Sequence, residues 1–324
     1  MDCMKYRTLG RTGLEISEIG YGAWGIGGKQ WKEQSDDESM AALERAIDLG
    51  LNFIDTALAY GDGHSEKVVG DVVKRAPRRI FVATKVPPMN RVWPAAPGSE
   101  LDDVFPYDYI VRSTEESLRN LSLETIDLQQ LHVWDPGWIA RDEWRRALDD
   151  LKRDGKIRFA GVSINDHQPD SAVELVASGE IDTVQVIYNI FDQSPESNLF
   201  PAVQRHNVGV IARVPFDEGS LTGTIKAGDT FDDPFRAFYF RGDRTRQVEE
   251  KVSALEKDLR DTPGSLAEKA LRFCISHPAV TTVIPGMRKI RNVEANCGVS
   301  ELGPLDQITL KKLKNHAWNK NFYC

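Results

Sequence analysis

The sequence predicts an α/β protein built as a closed parallel barrel, and three observations carry that prediction. Short apolar runs alternate with longer amphipathic ones, the short runs number eight, and polar residues capable of chemistry collect where the second, third and fourth of them end. Parallel neighbours need a crossover helix, which the alternation supplies. An open doubly wound sheet has the same periodicity, so the strand pattern alone leaves closure undecided.

The chain opens with an expected β-hairpin cap, residues 6–13 and 14–19 around Arg11-Thr12-Gly13. The expected barrel strands follow at 19–23, 52–56, 80–85, 126–131, 159–163, 183–188, 209–213 and 281–285. The first helix is expected from Ser35-Asp36-Asp37-Glu38, whose acids suit a helix N-terminus, to a stop at Gly50. Helical patterns recur at 65–75, 108–120, 142–154, 169–178, 199–206, 264–276 and 289–297. Three segments exceed ordinary loop length: 87–107 with Trp93 and Phe105, 214–246 with six aromatic residues, and a tail at 304–324 with a helix at 306–316. The first two follow strands three and seven, which puts them at the C-terminal face of a barrel, where such folds carry their chemistry.

Composition narrows the class. Of 324 residues 41% are hydrophobic and 28% charged, ample for a core and unlike a disordered chain. The 41 basic and 49 acidic residues leave a net charge of −8, against a nucleic-acid binder. No apolar run is long enough for a membrane helix, and the start, Met1 to Tyr6, lacks the apolar stretch of a signal peptide. Cys3, Cys274, Cys297 and Cys324 form no Cys-x-x-Cys pair, so a reducing cytoplasm is expected. The six histidines show no H-x-x-x-H spacing, so no metal site is expected and a metal-dependent hydrolase is set aside. No linker divides the chain, and residues 1–324 read as one domain. Oligomeric state is not legible.

Gly20-Tyr21-Gly22-Ala23-Trp24-Gly25 matches the G-x-G-x-x-G dinucleotide fingerprint letter by letter. That motif opens a helix directly, whereas here the next helix begins near Ser35 after further glycines at Gly27 and Gly28. These glycines are therefore expected to be loop hinges.

The strand ends give a better signal. Asp55 closes strand two with Tyr60 five residues on, Lys85 closes strand three, and His132 follows strand four. Neighbouring strands lie about 4.8 Å apart, so Asp55 and Lys85 are expected to pair, with Tyr60 above them and His132 facing the same mouth. The arrangement suits proton delivery to a carbonyl oxygen. An ammonium beside a phenol favours the phenolate and is expected to lower its pKa. Asp55 would hold Lys85, and His132 would orient the carbonyl. No side chain supplies hydride, so a cofactor is required.

With these residues in view the sequence resembles the aldo-keto reductase superfamily over nearly its whole length. The resemblance rests on Asp55-Thr56-Ala57-Leu58-Ala59-Tyr60-Gly61, Ser65-Glu66-Lys67-Val68-Val69-Gly70, Lys85, His132, Gly155-Lys156-Ile157-Arg158 before Gly161-Val162-Ser163, and Ile284-Pro285-Gly286-Met287-Arg288. It implies a (β/α)8 TIM barrel with an extended nicotinamide cofactor across its C-terminal face, and Tyr60 as general acid supported by Lys85, Asp55 and His132. It further implies that Ser163, Asn165 and Gln185 hold the carboxamide, and that Gly219, Leu221 and Gly223 wrap the pyrophosphate through backbone groups. Asn292 and Asn296 would meet the adenine end, and Arg288 a 2′-phosphate. A guanidinium's fork of donors suits that phosphate, which favours NADPH over NADH, with Lys289 and Arg291 adding charge. Ala23, Trp24, Asp55, Pro215 and Phe216 complete the cofactor contacts.

The chain departs from the family pattern twice. Ser163-Ile164-Asn165 replaces an adjacent Ser-Asn pair, and Arg213 stands where an aromatic ring often stacks on the nicotinamide. A planar guanidinium is able to stack there. For substrate, Trp24, Trp93 and Trp134 are the expected apolar wall. The expected activity is NADPH-dependent reduction of an aldehyde or ketone, with a small carbonyl compound or sugar as partner. The alternatives are an NAD(P)+-dependent dehydrogenase acting on a sugar or alcohol hydroxyl, and a cofactor-binding regulatory subunit.

Overall fold

A computed structural model of the chain describes residues 4–27 and 35–324. Cys3 and Gly28 lie outside them. Strands β1 (Tyr6–Thr8) and β2 (Glu15–Ser17) form an antiparallel hairpin with Tyr6 opposite Ser17. The barrel strands are β3 (Tyr21–Gly22), β4 (Phe53–Asp55), β5 (Phe81–Val86), β6 (Ile126–Leu131), β7 (Ile157–Ser163), β8 (Thr183–Ile187), β9 (Gly209–Arg213) and β10 (Thr282–Val283). They pair in parallel and in sequence order from β3 to β10.

The sheet closes. Parallel bridges join Ile19 to Val283 and Gly22 to Gly286. At this seam the Gly20 N–H donates to the Val283 carbonyl at 2.9 Å, Val283 to Glu18 at 3.0 Å and Gly22 to Pro285 at 3.1 Å. An open sheet would leave these edge groups unpaired, so the barrel alternative is the observed one. Glycine is needed at the seam because a Cβ on Gly22 would meet the Ile284 carbonyl oxygen at 2.7 Å. The expected role of Gly20 and Gly22 as loop hinges is corrected accordingly: they permit close packing of the first and last strands.

The helices are α1 (Asp36–Asp48), α2 (His64–Arg75), α3 (Leu101–Val104), α4 (Tyr107–Leu121), α5 (Glu143–Arg153), α6 (Val173–Ser178), α7 (Leu199–His206), α8 (Pro234–Tyr239), α9 (Arg244–Asp258), α10 (Leu266–Ser276), α11 (Ile290–Leu302) and α12 (Gln307–Leu313). Ser35 with Glu38, and Ser265 with Glu268, form capping boxes that start α1 and α10. Helix α9 is absent from the sequence-based expectation, which ran a loop to residue 246. It buries Thr245, Val248, Val252 and Leu255, a three-and-four spacing along one face. Its many charged residues masked that stripe.

The hairpin plugs one end of the barrel. Its Leu9, Leu14 and Ile16 pack with Phe53, Ala83, Leu128, Ile211 and Ile284 in a cluster of their own. Burying each Leu or Ile contributes about 1.5–3 kcal/mol. With that end filled, the opposite, C-terminal end of the strands is where a ligand has access.

Candidate active site

Three adjacent strands bring the first group together. Asp55 ends β4, and Lys85 near the end of β5 lies level with Gln130 of β6. The Lys85 ammonium donates to Asp55 Oδ2 at 2.7 Å, to the Thr56 carbonyl at 2.7 Å and to Tyr60 Oη at 3.3 Å. Its side chain is wholly buried. Asp55 Oδ1 accepts from Gln185 at 2.7 Å and from Gln130 at 3.2 Å, so both carboxylate oxygens are fixed. Gln130 went unrecognised in the sequence, although an uninterrupted Gln129-Gln130 pair inside an apolar strand is its signal.

Tyr60 is half-buried and sits edge-on to His132, ring centroids 5.8 Å apart, and Trp93 is also edge-on to the imidazole at 5.9 Å. The His132 backbone N–H donates to the Val86 carbonyl at 3.0 Å, which positions the residue. Burial, reinforced by the charges of Lys85 and Arg213, holds the His132 pKa well below its ordinary value, so the ring is neutral at pH 7. Its Nδ1 is buried and has no hydrogen-bond partner. Burial works against the charge on Lys85, but Asp55 and Tyr60 outweigh it and raise its pKa. Burial also raises the pKa of Tyr60, with Lys85 the largest opposing influence. The expected lowering of the Tyr60 pKa by Lys85 is therefore corrected: the pull exists, but desolvation of the phenol exceeds it. At neutral pH the hydroxyl keeps its proton.

Beside this group lies a polar cleft of about 110 Å³, lined by Tyr60, Trp93, His132, Ser163, Asn165, Asp166, Gln185 and Arg213, among others. Ser163 ends β7 level with Gln185 of β8. Asn165 Oδ1 accepts from the N–H groups of Ala95 (3.4 Å) and Trp134 (3.3 Å), tying the loop after β5 to the cleft wall. Arg213, at the end of β9, is held by the Ile164 carbonyl at 2.9 Å and by Asp166 Oδ1 at 2.7 Å. Asp166 is a second residue the sequence reading missed.

The other expected contacts are arrayed past β9 and β10. Pro215 is buried and Phe216 half-buried, and the Phe216 carbonyl accepts from Gly219 and Leu221, both at 3.0 Å. Leu221 is fully buried. Gly219 and Gly223 have φ of 112° and 76°, and the Ser220 hydroxyl between them is buried without a partner. Arg288 is half-buried, and its aliphatic stem packs so closely over Gly25 that a Cβ there would lie 2.8 Å from it. In α11 Asn296 is buried and Asn292 exposed. The Ala23 carbonyl accepts from Ser65, and Trp24 meets Phe235 edge-on at 4.9 Å.

Of the expected substrate wall, Trp93 is 43% exposed and stands at the cleft, and Trp24 is half-buried. Trp134 is corrected. It is fully buried, edge-on to Trp138 and Trp144, and belongs to the core. Among the described residues no cluster of His, Cys, Asp and Glu could hold a metal ion, and no helix is long and apolar enough to cross a membrane.

A family model described as the Aldo/keto reductase family matches residues 18–317. The chain is 31% identical over 316 residues to an uncharacterized oxidoreductase, YqkF, of Bacillus subtilis, covering 97% of each protein. Among solved structures it is similar to the holo form of the aldo-keto reductase AKR11C1 from Bacillus halodurans, with TM-score 0.78, 28% identity and coverage of 98% of this chain and 97% of that one. It is equally similar to the glycerol dehydrogenase AKR11B4 from Gluconobacter oxydans, with TM-score 0.78, 30% identity and coverage of 98% and 95%.

Proposed function

The chain belongs to the aldo/keto reductase family of oxidoreductases, and on that premise we propose that it uses NADPH to reduce an aldehyde or ketone to an alcohol, with Tyr60 as the proton donor. The observation that carries this reading is the Tyr60 phenol 3.3 Å from a buried ammonium at the wall of a polar cleft. Members of the family use a nicotinamide cofactor, and the residues present fit one. The partnerless Ser220 hydroxyl and the left-handed glycines on either side of it suit an anionic ligand close to the backbone. Ser163, Gln185, Arg213, the 217–222 loop and Arg288 follow one another around the barrel mouth, as an extended ligand requires.

In this reading Ser163, Asn165 and Gln185 hold the carboxamide, Arg213 lies against the ring, and the loop with Gly219, Leu221 and Gly223 takes the pyrophosphate. Arg288 meets the 2′-phosphate, and Asn292 and Asn296 the adenine end. When bound, the nicotinamide supplies the hydride. The protein's own task is the proton. Neutral His132 donates one hydrogen bond to the carbonyl oxygen and orients it beside Tyr60 Oη. Tyr60 passes its proton to that oxygen, and Lys85, fixed by Asp55, stabilises the phenolate left behind. Trp93 and Trp24 border the substrate.

Proton transfer at one site is reversible, so the same groups serve an alcohol or sugar dehydrogenase. The similarity to a glycerol dehydrogenase supports that as the second reading. The described cysteines, Cys274, Cys297 and Cys324, are all free, which supports a cytoplasmic protein, and one family model spanning residues 18–317 supports a single domain. Titrating the protein's fluorescence with NADPH and with NADH tests the cofactor assignment. Tighter binding of NADPH is expected, and binding of neither overturns the proposal.

A further inference from the structure

We infer that Lys320 and Tyr323, in the segment after α12, are positioning residues that clamp the loop following β9 in the shape its proposed cofactor role requires. The inference rests on the reading of that loop as the pyrophosphate cradle. Within the loop Asp217, Glu218 and Gly219 have φ of 49°, 56° and 112°. Glycine adopts such angles freely, but Asp217 and Glu218 do so only where their surroundings over-determine them.

The surroundings that do this come from the tail. Lys320 Nζ donates to Asp217 Oδ1 and Oδ2 at 3.0 and 2.8 Å. The two side chains are only 4% and 2% exposed. Tyr239 of α8 closes the group, its hydroxyl 3.3 Å from Asp217 and 2.9 Å from Lys320. Tyr323 Oη donates to Glu218 Oε1 at 2.6 Å. Each of the two consecutive non-glycine residues in the left-handed region is thus held through its side chain by a different tail residue. The tail is anchored in turn by Arg244, which donates to the backbone oxygens of Tyr239, Phe322 and Cys324, and by the Trp318 N–H, which donates to Phe191.

Binding a ligand in a preshaped loop spares the cost of ordering it, and loss of that shape shows mainly in the dissociation rate. The tail therefore acts on the cofactor through the loop, without touching the reacting atoms.

The test compares the native protein with Lys320→Met, Lys320→Arg and Tyr323→Phe. Amide hydrogen exchange at residues 217–222 and NADPH dissociation by stopped-flow fluorescence are the two readouts. Lys320→Met should raise both rates about tenfold or more, Tyr323→Phe less, and Lys320→Arg should return them toward native. Should Lys320→Met fail to fold, Tyr323→Phe removes one hydroxyl and keeps the test intact. Native exchange at the loop in the folded variants overturns the clamp. Faster exchange with unchanged NADPH dissociation shows that the tail grips the loop but overturns the loop's cofactor role.

Discussion

The Lys85 ammonium lies 3.3 Å from the Tyr60 hydroxyl, held from the other side by Asp55 Oδ2 and the Thr56 carbonyl, each at 2.7 Å. All of its hydrogen bonds are directed by β4 and the turn that follows, so the barrel itself sets the distance between ammonium and phenol. Lys85→Met removes the charge that stabilises the Tyr60 phenolate and leaves Asp55 buried without its cation. Breaking a buried pair from one side costs about 3–5 kcal/mol. The double variant Asp55→Asn with Lys85→Met should recover much of that stability in urea unfolding while carbonyl reduction stays depressed at least about 100-fold. Recovery of activity along with stability would show that Lys85 is only structural.

The main features of this arrangement are legible in the sequence. Asp55, Tyr60, Lys85 and His132 sit at or just beyond strand ends, and the register of parallel strands then fixes which of them meet. Long-range satisfaction of polar groups was not legible. Gln130 and Asp166 find their partners 75 and 47 residues away in sequence, through closure that periodicity does not report. Trp134 and Trp93 look alike in sequence, but one begins a buried cluster of tryptophans and the other stands exposed beside His132. Helix α9 was missed because its buried stripe is spread among charged residues in a segment already read as loop.

Arg288→Ala should weaken NADPH binding by about 10-fold or more and leave NADH binding within about 2-fold, since only the phosphate contact is lost. Equal loss for the two cofactors in a fluorescence titration would remove Arg288 from the 2′-phosphate.

Glu218 supplies a stability term with a defined sign. Burial, with Asp217 and Asp166 adding to it and Tyr323 and Arg213 opposing, pushes its pKa from 4.5 up to about 7. A carboxyl whose folded pKa is raised costs stability when charged. That cost is present in full above pH ~7 and is relieved as the pH falls toward ~4.5, by up to about 3 kcal/mol. Glu218→Gln should flatten this component. The difference in thermal midpoint between variant and native protein should therefore be largest near pH 8 and shrink toward pH 5, with the variant the more stable at the alkaline end. A difference independent of pH would contradict the assignment.

The most direct test of the central claim is carbonyl reduction by Tyr60→Phe, with NADPH affinity measured on the same preparation. The variant loses one hydroxyl and keeps the ring against His132 and Lys85. The account predicts a loss of turnover of about 100-fold or more, with NADPH binding within about 2-fold of native. A variant that binds NADPH normally and retains most of its turnover would contradict Tyr60 as the proton donor.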